Sequence, residues 1–267
     1  MDMKKRGVFM AFVTNENQQM NLTDHVFSLT EREKKYLERS WAKIFSEKVF
    51  PAIPEDRFSV LYSSNKASRP NTPVNIMIGA LILREVMELN DSEIMQNLMF
   101  DIRYQYALHT TSFEEQPLSE KTLSRFRSRC LSYETETGEN LIYDCISDLS
   151  EEISEFIEEA FGMPKMDSRM VAQNIRNLSF MELFYFAVVN LVKEMVQRGV
   201  DFPEDLQHYV EKEDHHRFMN VHDEDITERL NRVKEDAEIL MESCDGAFDD
   251  TSEYQLMIRL LKESYSF

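Results

Sequence analysis

Four cations crowd the stretch 119–132. Lys121, Arg125 and Arg129 recur every fourth residue, which on a helix stacks them along one face. Arg127 falls to another side, and Phe126 is expected to point into a core. A cationic row at that spacing suits phosphate contact, and it suits an ordinary solvated face equally well. Arg69, before Pro70 in a polar loop, is either a loop phosphate contact or an exposed arginine. Lys4, Lys5 and Arg6 read as a backbone-gripping arm or as a charged terminus without structure. Asp167 follows the break Gly162-Met163-Pro164, where an aspartate commonly caps the next helix. His208, His215, His216 and His222 lie among acids at no zinc spacing, so a solvated acidic segment is the plainer reading of 204–225.

These side chains need elements to hold them. Thr30-Glu31-Arg32-Glu33 is a capping-box sequence that starts a helix over 31–48, ended by Phe50-Pro51. A short helix is expected around 56–62. Thr72-Pro73 opens a helix over 73–89, with Val74, Met77, Ile78, Leu81 and Ile82 at helical spacing. Helices follow at 91–100, 101–109 and 119–132. The gap between the first and last of these is too long for a simple helix-turn-helix. A long helix is expected at 139–160, one or two very apolar helices at 170–198, and two more at 225–243 and 251–265. The amphipathic helix over 226–241, with Ile226, Leu230, Val233 and Ala237, serves either internal packing or dimerisation.

Composition agrees with a helical chain. Of 267 residues only six are Gly and seven Pro, too few turn-makers for many short strands. Cys130, Cys145 and Cys244 are odd in number and form no CxxC pair, which disfavours a disulfide framework or zinc site and fits a cytoplasmic setting. The apolar run near the start is too short for a signal peptide, and no stretch reads as the roughly 18 apolar residues of a membrane span. The net charge of −19 argues at first against nucleic acid. Its distribution argues otherwise: residues 1–130 hold 18 basic and 17 acidic residues, the remainder 12 and 32. Any grip on DNA belongs before about residue 135.

Three ordered segments carry a resemblance. Arg69-Pro70 with Pro73 to Arg84, Leu89-Asn90-Asp91-Ser92-Glu93 through Leu108, and Pro117-Leu118-Ser119 through Arg127 together resemble the InsH-type N-terminal domain of insertion-sequence transposases, over about 55–135. A second segment, Met166-Asp167-Ser168 through Ser179, is similar to the stretch around the first carboxylate of the DDE triad in the same enzymes. Arg169 stands where those enzymes usually have Thr, and Phe180 where they usually have Arg.

The resemblance implies several things. Asp167 would be a catalytic residue and a ligand for Mg²⁺, the metal of the complete enzyme, whose phosphoryl transfer uses two metal ions. Arg69, Lys121, Arg125, Arg127 and Arg129 would contact transposon-end double-stranded DNA. The sequence after Asp167 is helix-patterned, and no second Asp or Glu stands at a strand end. The chain is therefore expected to be an N-terminal transposase portion that binds transposon ends without cutting them and does not hold Mg²⁺ tightly. The expected fold is mainly α. A helical DNA-binding domain spans 1–135, a helical connector 136–164, and an acidic helical segment 165–267 begins an incomplete RNase H-like domain. A domesticated DNA-binding regulator and an acidic helical interaction module are the competing readings.

Overall fold

A computed structural model describes residues 11–15, 24–63, 70–113, 115–162, 168–211, 214–220, 226–244, 246, 248–249 and 251–264. Among them every regular element is helical, and the extended pairing consists of isolated bridges from Ala11 to Ser63 and Pro70. The mainly α expectation holds. The chain divides into two units between Ile175 and Arg176.

The first unit opens with α1 (Glu31–Glu38), whose Thr30–Glu33 capping box is closed in both directions, with Glu33 Oε2 accepting from the Thr30 amide at 2.7 Å. The helix expected over 31–48 is not continuous. Ser40 adopts an extended backbone, and α2 (Trp41–Ile44) restarts the chain before a π-helical turn, Phe45–Val49. The break lets Leu37, Ala42, Phe45 and Val49 all reach the core.

A 3-10 turn, Asp56–Leu61, precedes α3 (Val74–Val86). Pro73 is the cap of α3 rather than its first turn, and the orphan amides of Val74 and Asn75 donate to Glu55 Oε2 at 3.1 and 3.3 Å. A carboxylate there also meets the positive end of the helix dipole. α3 is buried on nearly all sides, from Val74 to Arg84. Its Gly79 sits in a close approach: a Cβ would stand 2.6 Å from a Leu108 methyl, which would have to shift.

α4 (Asp91–Phe100) begins with an Asn90–Glu93 capping box, and Asp101 caps α5 (Ile102–Ala107) by accepting from the Arg103 amide at 2.9 Å. α6 (Glu120–Thr137) runs past the expected 132 and stops at Gly138, whose φ of +81° is the left-handed stop that glycine adopts most cheaply.

The stretch read as a helical connector, 136–164, contains two further helices among its described residues. These are α7 (Leu141–Asp148) and α8 (Ser150–Phe161), separated by a kink at Leu149. Ile142, Cys145, Ile146, Ile153, Phe156 and Ile157 are buried in the first unit's core, where Phe156 meets Phe45 edge-on at 5.2 Å. Apolar positions three and four apart on both helices drive this burial.

α9 (Ser168–Arg198) starts in the first unit and continues into the second. Contrary to expectation, the stretch Arg169–Arg198 is long and apolar enough to cross a membrane. Its most apolar window is 72% buried within the protein, as in a core helix. The second unit adds a 3-10 turn (Glu204–Val210), α10 (Asp214–Met219), α11 (Ile226–Ser243) and α12 (Ser252–Ser264). Leu178 and Met181 of α9 pack there with Met219.

Candidate nucleic-acid interface

α6 is held in place from its apolar side. Ser119 Oγ accepts from the Thr122 amide at 3.3 Å, and Leu123, Phe126, Cys130 and Leu131 are buried. Phe126 meets Phe58 of the 3-10 turn at 5.5 Å. Burial pushes the Cys130 thiol up and the Cys145 thiol to about 12, so both are inert apolar filling.

Arg127, expected among the DNA-contacting cations, belongs instead to this buried side. It is fully buried, and its guanidinium forks onto Asp91, with Nη2 to Oδ2 at 2.6 Å and Nη1 to Oδ1 at 3.2 Å. Arg84 of α3 donates from Nε to the same Asp91 at 2.8 Å and also binds Glu85. Burial alone would raise the Asp91 pKa. The charges of Arg127 and then Arg84 outweigh it and hold the carboxyl below its ordinary value. Burial pushes the Glu85 carboxyl up despite Arg84. This cluster joins α3, α4 and α6, and it leaves Arg127 nothing to offer a phosphate.

The opposite side of α6 faces out. Lys121 and Arg125 are exposed, and Arg129 is half-buried with its guanidinium 5.5 Å from the centre of the Tyr62 ring. Burial raises the Tyr62 pKa to about 12, so that ring presents a neutral face to the cation. Beside the row lies an open groove of about 420 Å³. Val60 and Leu61 of the 3-10 turn form one side, and Arg125, Ser128, Arg129 and Ser132 the other. Tyr133 and Glu136 stand at its far end. Val60 is 54% exposed. The row is visible in the sequence from its period. The groove is not, because Val60 and Tyr62 reach α6 only through tertiary packing.

Residues 33–129 match the model of a family described as a transposase domain (DUF772). The region so matched is transposase-related. It runs from α1 to Arg129, takes in the whole Arg84–Asp91–Arg127 cluster, and contains all three outward cations of α6. No curated protein and no solved structure matches the chain.

The remaining candidates fall elsewhere. Arg69 and Asp167 lie outside the described residues, as do Lys4, Lys5, Arg6 and His222. Among the described residues, no group of three or more His, Cys, Asp or Glu is placed to hold a metal ion. The acidic stretch of the second unit is more than a solvated face. Asp214 is buried, accepting from the Tyr185 hydroxyl and lying 3.0 Å from His208 Nδ1. His215 stacks on Phe186 at 4.7 Å, with Nε2 3.4 Å from the buried Glu182. Tyr209 donates to Asp236. Burial, then the bond to its carboxylate, pushes each of the two tyrosine hydroxyls far up, so both remain donors.

Proposed function

We propose that this chain binds the double-stranded DNA at the ends of a transposable element, using the outward row Lys121, Arg125 and Arg129 of α6. The observation that carries the reading is that row, set within the transposase-related region on a helix whose other side is pinned by Arg127 and Asp91. A pinned helix presents its cations at fixed spacing, about 6 Å for residues four apart, so little ordering is left for the moment of binding. The charge asymmetry supports the same assignment, since the chain after residue 130 carries 32 acidic residues against 12 basic and repels a polyanion.

Strand cutting is not assigned to this chain. Asp167 is its one candidate catalytic carboxylate, and end binding needs no metal ion. Strand transfer by the purified protein in Mg²⁺, abolished by Asp167→Ala, would contradict that part.

End binding is tested by a mobility-shift titration with the inverted repeat that flanks the gene, against a scrambled duplex. The repeat should bind more tightly. Arg125→Ala with Arg129→Ala should weaken binding about tenfold or more and lower the salt slope by about 1 for each phosphate contact removed. Equal affinity for both duplexes, unchanged in the double variant, would remove the proposal.

A further inference from the structure

The groove beside α6 goes beyond a row of surface charges. Its two sides differ in chemistry. Val60 and Leu61 provide an apolar side, while Arg125 and Arg129 provide cations and Ser128 and Ser132 hydroxyl donors. Its apolar side is firmly held. Arg57, in the same 3-10 turn, is ion-paired to Asp148 of α7, and Phe58 is buried against Phe126. Val60 is β-branched and so is stiff in its own rotation. The Tyr62 ring fixes the height of the Arg129 guanidinium at the groove's edge.

We infer that this groove seats the sugar–phosphate backbone of one DNA strand, with Val60 against deoxyribose and Arg125 and Arg129 on successive phosphates. The inference rests on the end-binding reading and names its contact. A concave groove fits a convex ridge, and on duplex DNA the backbone is the ridge and the base edges lie in the hollows. A sugar–phosphate chain is itself apolar and anionic by turns, as the groove is apolar on one side and cationic on the other. Backbone contacts of this kind set register and orientation on the duplex rather than sequence. Glu136 at the far end opposes a further phosphate, so the strand lies over the Arg125–Arg129 part of α6.

The test uses the full chain and the inverted-repeat duplex. Val60→Glu places a carboxylate against the backbone and should lower affinity about tenfold or more, while Val60→Gln, similar in size and uncharged, should lower it only about threefold or less. Val60 is 54% exposed, so both variants should melt like the parent. Neutral methylphosphonates walked along each strand should weaken the parent at neighbouring positions of one strand, and Arg125→Ala should lose sensitivity at one of those positions. If Val60→Glu binds like the parent while Arg125→Ala with Arg129→Ala loses binding, the groove is not the seat and the end-binding reading stands. The groove is equally ruled out if Arg125→Ala leaves every sensitive position as sensitive as before. If the parent does not prefer the repeat at all, both fall.

Discussion

Arg127 and Arg129 are two residues apart on α6 and live in opposite surroundings. Arg127 is fully buried, forked onto Asp91 and sharing it with Arg84. Arg129 lies at the rim of a groove, its guanidinium over the Tyr62 ring. Two residues turn a helix by about 200°, so an arginine pair at that spacing is divided between inside and outside. The lesson is that a cation-rich helix is not uniformly an interface. One arginine sets where the helix sits, and its neighbours are thereby turned outward.

The second unit satisfies its acids by a different route. Asp214 is met by the Tyr185 hydroxyl and by His208, and Asp236 by Tyr209. There phenol and imidazole supply the donors that guanidinium supplies to Asp91 in the first unit.

The largest effect should come from the buried partner that the first comparison turns on. Asp91→Ala leaves two buried guanidiniums without their shared carboxylate and should cost about 3–5 kcal/mol, read by urea unfolding of the first unit. Replacing Arg84, Asp91 and Arg127 together by Met, Leu and Met should recover much of that loss. If Asp91→Ala proves neutral, Arg127 is not a structural residue and the contrast with Arg129 fails.

Next in size is Tyr185→Phe, which takes the hydroxyl from buried Asp214. It should cost about 1–3 kcal/mol, seen as a lower melting temperature of the second unit's transition. A variant as stable as the parent would show that the acid there is satisfied without the phenol.

Arg129→Ala should be gentler still, about 1 kcal/mol or less for a partly exposed cation on a ring. A loss comparable to that of Asp91→Ala would erase the distinction between the two sides of α6.

The smallest effect is in pH. His109 is largely buried, with Nε2 2.7 Å from Ser46 Oγ, and burial lowers its pKa from the ordinary 6.5. The unfolded chain then takes up the proton first. Stability from this group is complete above pH 6.5 and declines as pH falls through the lowered folded value. Asp91, also lowered, contributes in a separate window: its share is complete above pH 3.8 and is lost at greater acidity. Unfolding curves between about pH 7 and 5 should therefore show a gentle decline. His109→Asn should flatten it, and Asn tolerates the positive φ of +54° at that position. A pH slope that His109→Asn leaves unchanged would mean that the imidazole's burial carries no cost.

What the sequence makes legible follows from range along the chain. The capping boxes at Thr30–Glu33 and Asn90–Glu93 span three residues and are plain in the sequence, and so is the period-four row of α6. The kinks at Ser40 and Leu149 carry no Pro or Gly, and packing alone decides them. Arg127 looks like its neighbours in sequence because the residue that claims it, Asp91, is 36 positions away. Glu55, which caps α3 from 19 residues upstream, is hidden for the same reason.

One paired measurement bears most directly on the division of α6: inverted-repeat affinity and thermal unfolding, recorded together for Arg125→Ala with Arg129→Ala and for Arg127→Ala. The double variant should lose about tenfold or more in affinity while melting within a few degrees of the parent. Arg127→Ala should instead melt far earlier. A double variant that binds the repeat as the parent does, or an Arg127→Ala protein that is fully stable and deficient only in binding, would contradict that division.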